Sequence, residues 1–458
     1  MRSTVSLTVY GGANEIGGNK ILVEDRKTRI FLDFGQSFSL LDEYFVDWLQ
    51  PRDRFGLKDY FALDIMPQLS GLYNKQALED TRIKYSEPEY DAIFISHPHF
   101  DHVAHLRFLD PKIPLYLGET CKTILDSVQE TTKAFFFNEE DEEKKDGTII
   151  EKNALGTFRT GKKIKIDGIE ITPIHVDHSV PGAYGFIVET SNGVIAYSGD
   201  LRKHGNKPEM TEEFVENVRK QDAEVLIIEG TRVSASEKRK NHTESLVSSE
   251  SSKVCENCGK LILAMRYPKD LDRFKTFHEI AKKTGKKLVI SLKTAHLLLS
   301  LKEDEALGLP DPTKDPAIEI YQREMKQYKK WEKPFLDKCV DADWVKKNQK
   351  DVIWELDFTQ LQELVDVNPA PGGSCIHSMS EPFEEDPSSQ LQDEILHNWL
   401  DRFTMEHYQL HASGHAGKDE IFEMIKEIEA KNLIPIHTQE AKLFPKHIDV
   451  KKGERIEI

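Results

Sequence analysis

Four side chains able to bind a metal ion fall within six positions: His97, His99, Asp101 and His102, in the run Ser96-His97-Pro98-His99-Phe100-Asp101-His102. The stretch Ala92–Ser96 just before it is short and apolar and reads as a strand, so all four leave one strand end on one turn and can converge on a point. Neutral imidazoles suit zinc, and a carboxylate among them lets a second divalent ion sit beside the first. The bland alternative is a solvated histidine cluster with no metal. The compactness of the set and its aspartate favour the metal. Four donors do not fill two coordination shells, and three later strand ends offer more: Asp177-His178-Ser179 after Ile169–Ile174, Ser198-Gly199-Asp200 after Val194–Tyr197, and His437 after Leu433–Pro435.

These donors need a scaffold that brings strand ends together. Val5–Val9, Lys20–Val23, Arg29–Leu32, Ala92–Ser96, Leu115–Leu117, Ile164–Ile166, Ile169–Pro173, Gly185–Glu189, Val194–Ser198 and Val225–Glu229 all read as strands. Helical patterns at Thr120–Thr131 and Thr211–Lys220 interrupt them. A layered α/β architecture with its chemistry on strand ends is expected. From Thr231 the texture changes. Ser234–Ser252 is polar and charged, and Lys260–Met265, Asp270–Lys283 and Lys287–Leu292 have the strand–helix–strand order of a βαβ unit. Glu303–Asp351, long and charged, is expected to be helical and surface-lying. The first texture returns after Tyr408, with a helix at Lys418–Lys431. The expected layout is one domain over residues 1–230 and 406–458, interrupted by a second over 231–405.

Bulk properties set limits. The chain has 458 residues, 38% hydrophobic and 31% charged, as in a soluble globular protein of more than one core. No apolar run reaches membrane-spanning length and Met1–Gly12 lacks the apolar block of a signal peptide, so a cytoplasmic location is expected. A formal net charge of −17 argues against a nonspecific polyanion-binding surface, though a local basic groove remains compatible with it. Five scattered cysteines are no disulfide framework. Cys255-Glu256-Asn257-Cys258 has the form of half a zinc knuckle, which Cys339 and Cys375 could complete, though without ligand-like spacing; reduced loop cysteines are the favoured reading. The acidic run Asn138–Asp146 reads as a solvated loop.

The ordered set His97-Pro98-His99-Phe100-Asp101-His102, His178, Asp200 and His437 resembles the motifs of the metallo-β-lactamase superfamily. The resemblance implies an αββα sandwich and two zinc ions per chain. His97, His99 and His178 would hold one ion, and Asp101, His102 and His437 the other. Asp200 would bridge them, and Asp33 would orient a ligand. Glu229-Gly230-Thr231, His411-Ala412-Ser413-Gly414-His415-Ala416 and Pro435-Ile436-His437 resemble motifs A, B and C of the β-CASP group, whose extra α/β domain is inserted here and which acts on nucleic acids. Gly11–Asn19 and Ser378-Met379-Ser380-Glu381-Pro382 resemble the ribonuclease J family, in the shorter archaeal form, since no further domain follows the last motif.

That resemblance implies hydrolysis of single-stranded RNA from a 5′-monophosphate end, with internal cleavage in addition. His415 would be the general acid, held by Glu229, and Asp200 and Asp33 would serve the catalytic centre. Ser378, Ser380, His411, Ser413 and Gly414 would bind substrate, although Ser378-Met379-Ser380 departs from the family's usual Ser-Gln-Gly. A homodimer is left open. Two other function classes compete. One is a hydrolase of small thioesters or lactones, which has no need of a large inserted domain. The other is a catalytically dead nucleic-acid scaffold, which has no need of a complete ligand set.

Overall fold

Val225–Glu229 and Ala92–Ile95 are buried at every position, which strands achieve only when both faces of their sheet are covered. The computed structural model, which describes residues 5–46, 48–143, 149–240, 242–382 and 387–458, shows how. (The acidic run Asn138–Asp146 lies partly outside these residues.) Two mixed sheets face each other. The seven-stranded one runs in the order Arg455–Glu457, Val5–Gly11, Lys20–Asp25, Thr28–Leu32, Ala92–Ile95, Leu115–Gly118, Leu155–Phe158. The six-stranded one runs Asn432–Ile436, Val225–Glu229, Gly193–Tyr197, Tyr184–Thr190, Ile169–His175, Ile164–Ile166. One apolar cluster, with Phe94, Phe158, Ile171, Phe186 and Ile434, fills the space between them. The helices Pro208–Lys220 and Lys418–Ile428 cover the outer face of the six-stranded sheet with Phe214, Val218, Ile421 and Met424. The result is the expected αββα sandwich.

Strand direction explains where chemistry can sit. Thr28–Leu32 pairs parallel with Ala92–Ile95, and Val225–Glu229 pairs parallel with both Gly193–Tyr197 and Asn432–Ile436. Their carboxyl ends, which carry Glu229 and are followed by Asp33, His97, Asp200 and His437, therefore lie along one edge.

A third sheet is parallel throughout and belongs to the intervening chain. Its order is Cys339–Val340, Ile318–Tyr321, Lys287–Ser291, Val352–Glu355, Ile262–Arg266, Gly373–Ser378, Met405–Gln409. One sequence expectation needs correction here. Glu303–Asp351 is not mainly helical: it carries the strands Ile318–Tyr321 and Cys339–Val340, with one α-helix at Ala342–Lys347 and three short 3-10 turns. Ile318–Tyr321 is buried in the sheet except at Glu319, Cys339–Val340 is its half-buried edge strand, and most of the charged residues lie outside both strands. The strand–helix–strand unit over 260–292 exists, but Val352–Glu355 sits between its strands. Met405–Gln409 pairs with Gly373–Ser378, so this sheet reaches past residue 405. Among the described residues no helix is long and apolar enough to cross a membrane.

Candidate metal centre

Strand ends bring seven donors into two adjoining groups. His97, His99 and His178 form one, and Asp101, His102, Asp200 and His437 the other. In the first, His97 Nε2 and His178 Nε2 lie 3.1 and 3.0 Å from His99 Nδ1. Three ring nitrogens this close suit one cation that takes all three lone pairs. In the second, Asp200 Oδ2 lies 3.2 Å from His102 Nε2, 3.7 Å from His437 Nε2 and 3.5 Å from His97 Nε2, between the two groups. Asp200 Oδ1 is buried with no hydrogen-bond partner among the described residues. A buried, unsatisfied carboxylate oxygen facing imidazoles is costly unless a cation completes it, so the donor set fits divalent metal.

The outward side of each ring is fixed by a separate partner, and this decides which nitrogen faces the centre. His102 Nδ1 lies 2.7 Å from Asp33 Oδ2, and His178 Nδ1 lies 2.6 Å from the Gly414 carbonyl. Thr231 has one hydroxyl proton. Donated to Glu229 Oε2 at 2.7 Å, it leaves the hydroxyl to accept from His437 Nδ1–H at 2.8 Å. Asp33 also accepts from Ser96 N at 2.7 Å, from Ser96 Oγ at 2.7 Å and from the Tyr197 hydroxyl at 2.5 Å. Asp33 and His437 both hold left-handed backbone, φ 58° and 52°, which non-glycine residues adopt only under local constraint.

The groups differ electrically. Burial, reinforced by His102 and His178 respectively, holds His97 and His99 well below the usual histidine range, and burial with His415 lowers His178 to about 4. The first group is thus neutral imidazole. In the second, burial opposes charge on His437, but Asp200 and Asp101 outweigh it and raise the ring to about 9. His102 is likewise raised well above its usual range against burial, by Asp200, Asp33 and Asp101.

His415 stands beside the second group. Its Nδ1 is 3.0 and 3.1 Å from the two oxygens of fully buried Glu229, and 3.8 Å from Asp200 Oδ2. It is therefore also within ligand distance of His178 and Asp200. The loop before it is a brace. The Ser413 carbonyl accepts from Arg202 and His204, Ser413 Oγ accepts from His415 N, and a Cβ on Gly414 would come within 2.9 Å of His178.

Of the expected substrate residues, Ser380 and His411 meet, Oγ to Nε2 at 3.4 Å, beside Tyr267. Ser378 differs from expectation. Its hydroxyl is fully buried and bonded to Arg273 and the Leu410 carbonyl, so it tethers the loop from inside and is not presented to a ligand. No metal-binding group among the described residues includes a cysteine, and Cys121, Cys255, Cys258, Cys339 and Cys375 are all free thiols.

Sequence reading missed a buried ionic seam. Arg202 spans Glu244 (2.9 Å), Asp272 (2.8 Å) and Asp177 (3.5 Å), and Arg273 joins Glu244 at 2.8 Å. It ties the strand-end loops of the sandwich to the helix Leu271–Thr284 of the inserted body. Lys269, also from that body, donates to the Pro98 carbonyl at 2.6 Å and lies over Phe100. No local motif marks these residues.

Comparison with known proteins fits this geometry. Residues 63–262 match the beta-lactamase superfamily domain, and residues 402–458 the Zn-dependent metallo-hydrolase RNA specificity domain. Ribonuclease J of Mycoplasma pneumoniae is 23% identical over 95% of this chain and 68% of its own length. Ribonuclease J of Pyrococcus abyssi is 22% identical over 62% of this chain and 58% of its own. A solved structure, a protein of unknown function from Enterococcus faecalis V583, superposes over 100% of both chains with a TM-score of 0.77 at 25% identity. Together these matches support ribonuclease J of the β-CASP group, within the metallo-β-lactamase superfamily, as the family of this chain.

Proposed function

We propose that the protein is a two-zinc ribonuclease that degrades single-stranded RNA from a 5′-monophosphate end and also cuts internally. The observation that carries this is the pairing of two adjoining donor groups with a histidine–carboxylate couple, His415 and Glu229, on the same edge. His97, His99 and His178 would hold one ion, Asp101, His102 and His437 the second, and Asp200 both. Such ions supply Lewis acidity, making a water acidic and offsetting phosphate charge.

The chain's own residues do the rest. Asp33, Gly414 and Thr231 fix the tautomers of His102, His178 and His437. Glu229 holds His415 Nδ1–H, leaving Nε2 to deliver a proton to the departing 3′-oxygen. Ser380 and His411, with the backbone N–H groups near them, would receive the 5′ phosphate. The inserted body, which a thioester or lactone would not require, supports an extended substrate. Residues 1–230 and 406–458 form the catalytic domain in this reading and 231–405 the inserted one; the protein works in the cytoplasm, with a homodimer left open.

The test is a 5′-end-labelled RNA offered with a monophosphate or a triphosphate end. Early release of labelled mononucleotide, faster from the monophosphate, is expected. Label appearing first in internal fragments whatever the 5′ end would refute the end-directed reading. Hydrolysis of thioesters but not RNA would refute ribonuclease activity altogether.

A further inference from the structure

A cleft between the sandwich and the inserted body is lined in part by His178. Lys207, at the start of the helix Pro208–Lys220, and Lys275, on Leu271–Thr284, line it from opposite bodies, together with Arg159, His175 and Leu271. Its volume is about 90 Å³, room for about three waters or one tetrahedral anion.

Arg159, Lys207 and Lys275 line this cleft with Asp177, Asp272 and Asp304, so what matters is how the carboxylates are bonded. Its carboxylates are committed elsewhere: Asp177 and Asp272 to Arg202, and Asp304 to Arg159 at 3.4 Å and to the Thr120 hydroxyl at 2.6 Å. Among the described residues neither Lys207 nor Lys275 has an ion-pair partner for its ammonium, and both are half-buried. Burial, partly opposed by Asp272 and reinforced by Lys207, lowers the Lys275 ammonium, so the two cations sense each other. Two like charges brought together from separate bodies cost free energy that an anion between them would recover. In a chain of net charge −17 such a place is unusual.

We propose that Lys207 and Lys275 form a phosphate-binding site in this cleft, distinct from the pocket of Ser380 and His411. The phosphate comes either from the RNA strand passing the metal centre or from a released monophosphate. The inference rests on the ribonuclease reading for the source of the phosphate, while the cleft's charge stands without it.

The experiment measures binding, not turnover. Affinity of the metal-loaded protein for a cleavage-resistant single-stranded RNA is followed against salt, for the parent and for Lys207→Gln and Lys275→Gln. Inorganic phosphate and a 5′-mononucleotide are titrated separately by calorimetry. If strand phosphate binds here, each variant loses about 0.7 from the slope of log affinity against log salt. If free phosphate binds here, the RNA slope holds while phosphate or mononucleotide affinity falls about tenfold in both variants. Either result supports the site. RNA slope, phosphate affinity and nucleotide affinity all unchanged in correctly folded variants would overturn it. Failure of the ribonuclease reading looks different: the parent then neither binds nor cuts RNA, whatever the lysines do with phosphate.

Discussion

The metal centre and the seam between the two bodies are both buried and both ionic, yet they are built in opposite ways. At the centre, short side chains stand at the carboxyl ends of adjacent strands, and each is held by one nearby partner: Asp33 for His102, Gly414 for His178, Thr231 for His437. At the seam, long side chains from distant parts of the chain meet across a gap, with Arg202 fully buried among three carboxylates. The centre is fixed by sheet topology, and its donors fit a cation. The seam carries its own cations, and they also brace the loop of Ser413–His415. Breaking the first should remove chemistry and spare the fold. Breaking the second should loosen the fold while the metal ligands stay in place.

The largest effect should follow from emptying the centre. A chelator, or Asp101→Ala, or His437→Ala, is expected to abolish RNA hydrolysis and lower metal content from about two ions per chain. Circular dichroism should change little, since the ligands sit on strand-end loops and stability falls mainly by lost metal-binding energy. Full activity in either variant would break the two-metal reading.

Next, His415→Ala separates proton delivery from ligation. With metal retained, hydrolysis should fall by about a hundredfold or more, and a substrate whose leaving group needs no proton should recover much of that loss. Equal loss on both substrates would reassign His415 to phosphate contact. Loss of metal would reassign it to ligation, because His178 and Asp200 lie within reach of it.

The same contrast explains what could be read from sequence. The centre was legible because its donors are sparse residue types packed within six positions, or standing just after recognisable strands such as Val225–Glu229. The sandwich was legible for the same reason: its strands are apolar runs bounded by turns. Glu303–Asp351 was misread because its strands Ile318–Tyr321 and Cys339–Val340 are short and lie among charged residues, so composition masked pairing that only the neighbouring strands supply. Arg202, Glu244 and Arg273 left no trace because charged residues on a sequence are most often on the surface. Ser378 was assigned from motif resemblance, and only the packing of Arg273 against it shows that it faces inward.

The seam can be tested by Arg202→Met. Removing Arg202 leaves Asp177 and Asp272 without their cation and Glu244 with Arg273 alone, which costs about 3–5 kcal/mol in comparable buried pairs. Denaturant unfolding should show this loss, with metal content unchanged and KM for RNA raised, because the Ser413 carbonyl loses a donor. Adding Glu244→Gln should cost less than the sum of the two single variants. Strict additivity would mean that the network is not a unit.

The smallest effect concerns Asp270, at the edge of the seam. It is buried; its Oδ1 accepts from Arg273 N at the start of Leu271–Thr284, and its Oδ2 has no hydrogen-bond partner among the described residues. Burial raises its carboxyl to about 6, with Glu244 acting in the same direction and Arg273 and Arg202 opposing. The folded protein then keeps a proton that the unfolded chain has lost, so stability declines as pH rises from about 4 to about 6 and is flat above. Asn at this position keeps the helix cap and does not titrate. Asp270→Asn should therefore gain on the parent across that window, by on the order of 1 kcal/mol once above it, and match it most closely near pH 4. Unfolding midpoints on either side of the window decide the matter. A difference that is the same at both, or that favours the parent above pH 6, would mean that Asp270 stays ionised against Arg273 and belongs to the seam as a full ionic member.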